Sequence, residues 1–356
     1  MRDKIISIGF SCIFIFVGVI SLILKDNDIS FLERRKLVTK DDLSSSFLEK
    51  IEDYLNDQFP MRNQVLSINS FYERNILGNK EKNKVYLVDD IIYEKNYPLN
   101  DKSVNSFVNK MNYIQDTYFK NQHVYYTIVP DKSFFLEDNK YLKMDYDKMF
   151  DVLNKMNSDY IDIISALRSD DYYQTDIHIK QESWLDVIPY LNRKMNFGYK
   201  MINYQHKNYY PFYGASYSKV LDIKHADELN YLVNDSQKDL VVNHLEFGNK
   251  KLYDLDKLGS IDSYDVFLSG PSAFIEITNP NNESGRELIV FRDSFGSSLV
   301  PLLTPYYSKI VVVDLRYMDS SMLENYIVSK PVNQDVLFMY STLIVNNSSI
   351  LKVNVK

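Results

Sequence analysis

The segment that leaves this chain fewest choices is Glu287–Tyr317, ELIVFRDSFGSSLVPLLTPYYSKIVVVDLRY. Leu288 to Phe291 is a short run of apolar β-forming residues, and Arg292-Asp293-Ser294 is polar. Phe295 to Tyr306 can form a helix before a second apolar run, Ile310 to Val313. Strand, tight turn, helix and strand in that order are the repeating unit of a parallel α/β sheet. A serine in such a turn sits where the sheet meets a helix N-terminus, with its hydroxyl exposed and unpaired backbone N–H groups nearby, as a nucleophile requires. Serine is also a preferred helix N-cap, and the turn by itself does not separate the two readings.

The rest of the chain supports the same architecture. Phe107, Val108, Met111, Ile114 and Tyr118 follow helical spacing, and His123 to Val129, closed by Pro130, reads as a buried strand. Met144 to Met156 predicts a helix, Tyr160 to Ile164 a strand, and Glu182 to Met195 a helix carrying the single tryptophan, Trp184. Asp265 to Leu268 and Val336 to Tyr340 are further predicted strands, and Lys84 to Tyr93 alternates like a hairpin or edge strand. Strands alternating with helices predict a mainly parallel sheet covered on both faces. The Tyr-, Asn- and Lys-rich stretch 204–259 fits this pattern least and is expected to be an insertion over the sheet edge.

The N-terminus places a different constraint on the chain. Ile5 to Leu24 is about twenty residues without a charge, enough for a helix to cross a bilayer. No small-residue cleavage site follows Leu24, so residues 1–27 read as a cytoplasmic stub and an uncleaved anchor. Arg2 and Lys4 favour a cytoplasmic N-terminus, which leaves the bulk of the chain extracytoplasmic, although Arg34, Arg35 and Lys36 lie on the other side. Residues 28–80 read as a helical lead-in, with Phe47, Ile51, Leu55 and Phe59 in near-helical steps ended by Pro60. Residues 81–356 read as the α/β domain.

Composition excludes several function classes. With 41 basic and 48 acidic side chains and no Lys/Arg block, nucleic acid is not the expected partner. One cysteine, Cys12, rules out an intramolecular disulfide, and the 5 histidines lack paired ligand spacing, so no metal or other cofactor is expected. The 29 tyrosines and 20 phenylalanines could line a carbohydrate groove, but such residues more often fill core and surface.

Asp176 and His178, in Gln174-Thr-Asp-Ile-His-Ile-Lys180, are the candidate partners of Ser294. One residue apart in an extended segment, they project on the same face, and a carboxylate that holds an imidazole in one tautomer supports a general base. Alone, the pair reads as a surface loop or a partly buried histidine with its hydrogen bonds satisfied; the serine turn is what makes it a candidate. His123, His206, His225 and His244 have no carboxylate in an obvious supporting position. For the oxyanion or substrate, the Ser294 N–H is the first expected donor. Gly270, at the end of Phe267-Leu-Ser-Gly270, and Arg292 are the further candidates.

Glu33-Arg-Arg35, Asn56-Asp-Gln-Phe-Pro-Met-Arg62, Thr175-Asp-x-His178, Tyr264-Asp-Val-Phe-Leu268, Phe291-Arg-Asp-Ser-Phe-Gly296 and Asp314-Leu-Arg-Tyr317 together resemble the DHHW family of bacterial membrane-anchored proteins. That family is related to the SGNH-like alginate O-acetylation proteins. The resemblance implies a three-layer α/β/α SGNH-hydrolase-like domain behind an N-terminal transmembrane helix. It also implies Ser294 as nucleophile, His178 as base and Asp176 as its orienting carboxylate. Where the family has Asp-His-His-Trp, this chain has Asp176-Ile177-His178-Ile179.

The expected function is O-acetyl transfer to an extracytoplasmic polysaccharide, with a polytopic membrane acyltransferase as the donor partner that the resemblance implies. The alternatives are a polysaccharide acetylesterase using the same three residues, and an inactive glycan-binding scaffold of a polysaccharide export or modification machine.

Overall fold

The computed structural model describes residues 2–30, 33–43, 47–79, 81–137, 140–221, 225–330 and 332–355. Of the side chains flanking the apolar N-terminal run, those of Arg2 and Lys4 lie outside the described set. The chain divides into two compact units, Met1–Ile92 with Ala215–His225, and Tyr93–Gly214 with Ala226–Lys356.

In the smaller unit a helix spans Arg2–Ile23, and its Ile6–Ile23 portion is long and apolar enough to cross a membrane. Helices Phe47–Asp57 and Arg62–Asn75 follow. The Asp57 carboxylate, at the end of the first, ties that helix to the chain before it, accepting from Arg35 Nη1 at 2.9 Å and from the Val38 N–H at 2.9 Å. Val85, Ile92, Tyr217, Val220 and Leu221 form the small core of this unit.

The larger unit is built on an eight-stranded sheet. Its strands are β1 (Val124–Val129), β2 (Asp159–Tyr160), β3 (Val241–His244), β4 (Gly248–Lys250), β5 (Phe274–Thr278), β6 (Glu287–Arg292), β7 (Lys309–Val313) and β8 (Gln334–Ser341). The spatial order is β4-β3-β5-β7-β6-β8-β1-β2. The run from β7 to β2 is parallel, and the pairings of β4 with β3, β3 with β5, and β5 with β7 are antiparallel. The central strand β6 is buried along nearly its whole length, which is why it reads as an unbroken apolar run rather than an alternating one.

Alternate residues of the strands feed two separate cores, giving the three-layer α/β/α arrangement that the sequence predicts. Val290, Val312 and Leu337 face helices α3 (Trp184–Met195) and α4 (Gly296–Leu303). Ile289, Phe291, Val313 and Phe338 face α1 (Asp101–Tyr118), α2 (Tyr146–Leu153) and α5 (Thr342–Asn346).

Three local expectations need correction. Asp265 to Leu268 is not a strand: Ser263–Val266 is a turn of 3-10 helix, and Leu268 and Ser269 take left-handed φ values of 54° and 57°. Val266 and Phe267 pack into a local cluster with Tyr173 and Phe212, and Leu268 joins the main core. The strand at this point of the chain is β5, which begins at Phe274. The strand expected at Tyr160 to Ile164 ends after Tyr160, because β2 is an edge strand and the chain turns away into the 3-10 turn Ile164–Ala166. Within 204–259, β3 and β4 extend the large sheet, while Gln205–Phe212 and Asp227–Val233 pair with each other. Residues 222–224 of that stretch lie outside the described set.

Candidate active site

Ser294 stands at the carboxyl end of β6, two residues before α4 begins, in the sheet's interior between β7 and β8. Asp293 fixes this turn with both carboxylate oxygens. One accepts the Phe295 N–H at 3.0 Å, and the other accepts the Ser341 N–H at 2.7 Å, from the end of the neighbouring strand β8. Gly296 lets the chain close tightly, because a Cβ there would stand 2.8 Å from Arg292 Cβ. Ser294 is half-buried in a turn whose other residues are buried.

The Asp176–His178 segment is a turn rather than a strand. Tyr172 and Ile179 bridge its ends, and Asp176 Oδ1 accepts the His178 backbone N–H at 3.0 Å, an Asx-type turn. The same oxygen accepts from His178 Nδ1 at 2.5 Å. With Nδ1–H committed to the carboxylate, the lone pair of Nε2 faces Ser294 Oγ at 2.8 Å, across 116 positions of sequence. Asp176 is 1% exposed and His178 8%. An ion pair or hydrogen bond in so dry a place is electrostatically stronger than in water.

Sequence reasoning missed what holds the imidazole plane. Tyr264 stacks on His178 with ring centroids 3.9 Å apart and 7° between planes, and Phe295 closes from the side at 5.0 Å. The Tyr264 hydroxyl donates to Ser298 Oγ at 2.9 Å, which also accepts from Trp184 Nε1 at 2.9 Å. Burial pushes the Tyr264 phenol far above its ordinary range, so it remains a neutral donor. The Tyr264-Asp-Val-Phe-Leu268 block was visible in the sequence, but nothing in it indicated that its ring would meet His178.

Ser294, His178 and Asp176 are brought together; Gly270 and Arg292 are not joined to them by any hydrogen bond among the described residues. The Gly270 N–H already donates to the Phe267 carbonyl at 3.2 Å, and its φ of 91° serves a local turn. Arg292 is 1% exposed, with Nη1 3.3 Å from the Asp293 carbonyl and 3.4 Å from Asp314 Oδ2. Its Nε and Nη2 have no hydrogen-bond partner among the described residues, and burial lowers its pKa. Arg316 takes the better geometry on Asp314, at 2.9 and 2.6 Å. The Ser294 N–H makes no hydrogen bond among the described residues and is left free at the head of α4.

Ile177 and Ile179, where the chain departs from Asp-His-His-Trp, belong to the hydrophobic core, Ile179 completely and Ile177 in part. Neither takes part in the hydrogen bonds that join Asp176, His178 and Ser294. Among the described residues no group of three His, Cys, Asp or Glu side chains is placed to hold a metal ion.

No protein-family model matches the chain, and no curated protein sequence does. Solved structures do. A DHHW family protein from Eubacterium siraeum superposes with a TM-score of 0.63 at 18% identity, over 75% of this chain and 92% of that one. Bacillus cereus PatB1, solved alone and with a sulfonyl adduct, superposes with a TM-score of 0.58 at 16% identity, over 73% of this chain and about 95% of its own. The O-acetyltransferase domain of Pseudomonas putida AlgJ gives a TM-score of 0.44 at 11% identity, over 74% of this chain and 92% of that one. At these identities the likeness is one of fold.

Proposed function

We propose that this chain transfers an acyl group, most simply acetyl, through a covalent ester on Ser294 to a hydroxyl of an extracytoplasmic polysaccharide. The observation that carries the reading is the unbroken line Asp176 Oδ1, His178 Nδ1, His178 Nε2, Ser294 Oγ, with bonds of 2.5 and 2.8 Å. Ser294 Oγ attacks the carbonyl of the acyl donor while its proton passes to His178 Nε2. The oxyanion is met by the Ser294 N–H at the head of α4. Collapse breaks the bond to the donor's leaving group, which takes the proton from His178 and leaves the acyl group on Ser294. A sugar hydroxyl then gives its proton to Nε2, attacks the ester, and releases Ser294, which recovers its proton.

The choice of sugar as acceptor and of a membrane acyltransferase as donor partner draws on the motif resemblance. The apolar helix Ile6–Ile23 fits an anchor that leaves the domain outside the cytoplasm. The first test treats the detergent-solubilised full chain with a fluorophosphonate and, separately, with p-nitrophenyl acetate. Labelling and an acetylated Ser294 peptide are expected in wild type, and a loss of about 10³-fold or more in Ser294→Ala and in His178→Ala. Labelling that survives Ser294→Ala rejects the mechanism. Acetate release to water with no transfer to any glycan selects the esterase reading.

A further inference from the structure

Lys132 follows β1 and Pro130 at the start of a short 3-10 turn and is 4% exposed. Its Nζ donates to the carbonyls of Tyr173 at 2.6 Å and of Asp176 at 2.8 Å, and stands 3.4 Å from that of Gln174. The Tyr93 ring lies 5.9 Å from it. On the amide side of the same loop the Asp227 carboxylate accepts the N–H groups of Gln174 and Thr175, each at 2.7 Å, and the Thr175 hydroxyl at 2.5 Å. Thr175 Oγ1 in turn accepts the Gly214 N–H at 2.9 Å. The loop that presents Asp176 is therefore held by a buried cation on its carbonyls and a buried anion on its amides.

We propose that Lys132 is a positioning residue for the site: its ammonium, by drawing the 173–176 carbonyls to one point, sets the Asp176 carboxylate against His178 Nδ1. The inference rests on the proposed role of Asp176 and His178. A carbonyl cage of this kind needs an ammonium N–H donor for every carbonyl oxygen. A neutral amine keeps two donors and turns a lone pair on one carbonyl, so the cage exists only while Lys132 is charged. Desolvation is the largest influence on that charge and pushes the ammonium down to about 8; Asp176, Asp227 and Glu94 oppose this and Lys180 adds to it. Lys110 supplies an internal comparison, since its Nζ clips the carbonyls of Ser348 and Leu351 at 2.9 and 2.7 Å, none of them part of the site.

The test follows the hydrogen-bonded His178 Nδ1 proton by low-field NMR, together with the fluorophosphonate labelling rate, across pH 6–10 in the full chain. Wild type, Lys132→Met, Lys132→Arg and Lys110→Met are compared. In wild type the signal and the labelling rate should fall together as pH passes about 8. In Lys132→Arg both should persist to higher pH. Lys132→Met, if it folds, should label about 10–100-fold more slowly at every pH, whereas Lys110→Met should keep the wild-type profile. A wild-type signal that persists unchanged to pH 10, or a Lys132→Arg profile identical to wild type, overturns the inference. The proton signal does not need turnover, so an inert chain whose signal still follows Lys132 would reject the acyl-transfer reading and leave this one standing.

Discussion

Gly214 offers the sharpest single perturbation of the site. Its backbone passes so close to Asp176 that an added Cβ would stand 2.1 Å from Asp176 Cβ, 2.4 Å from Oδ2 and 2.6 Å from Cα. Two of those three atoms are not the far end of a flexible side chain, so no rotamer change clears the clash. To reach ordinary contact at roughly 3.5 Å the two segments must part by on the order of 1 Å. A displacement of that size takes the 2.5 Å bond between Asp176 and His178 Nδ1 out of hydrogen-bonding range and frees the imidazole to tilt away from Ser294. Misplacement of this order costs about 10²-fold in rate, or about 2.8 kcal/mol of transition-state stabilisation at about 1.4 kcal/mol per tenfold. Overpacking should also lower stability by about 1–3 kcal/mol. Gly214→Ala is therefore expected to label with fluorophosphonate about a hundredfold more slowly while keeping a cooperative thermal transition at reduced Tm. A folded Gly214→Ala chain that labels within threefold of wild type would show that the tight approach does not set the Asp176 position.

Two further outcomes follow from the same geometry. Tyr264→Leu removes the ring stacked on His178 and should slow labelling by about 3–10-fold, the equivalent of about 0.5–1.5 kcal/mol, with Tyr264→Phe intermediate because it keeps the stack and loses only the bond to Ser298; equal rates for Tyr264→Leu and wild type would rule out a positioning role. The depressed pKa of Lys132 makes a stability prediction of opposite sign to the activity one: between about 8 and its ordinary 10.5 the unfolded chain holds a proton that the folded chain has lost, so this group makes folding more favourable as pH rises through that window. Chemical denaturation at pH 8 and 9.5 should show a smaller gain, or a larger loss, with pH in Lys132→Met than in wild type, and identical pH dependence would contradict the burial of its charge.

The parts of the fold that read correctly from sequence are those whose signal is local. Glu287–Arg292 carries no polar residue between Leu288 and Phe291 because the strand is buried on both faces, and the helix Asp101–Tyr118 places Val104, Phe107, Val108, Met111 and Ile114 on one buried stripe. Asp265 to Leu268 misled for the same reason, since an apolar run looks alike whether it lines a sheet or fills a pocket; the strand itself is Phe274–Thr278, with Glu276 half-buried between Ile275 and Ile277. The antiparallel half of the sheet was not legible because β3 and β4 lie in a polar stretch at its edge, where burial leaves little pattern.

The division at the site has the same cause. That Ser294 would stand on a strand-to-helix turn, that Asp176 and His178 would lie within reach of each other, and that Ile6–Ile23 could cross a bilayer all depend on residues a few positions apart, so local sequence determined them. That His178 Nε2 meets Ser294 Oγ, that Tyr264 lies flat against the imidazole, that Lys132 gathers the carbonyls behind Asp176, and that Arg292 lies against Asp314 depend on chain segments tens to more than a hundred residues apart. Only the packing of the two cores onto a common sheet decides those separations. No spacing in the sequence records them.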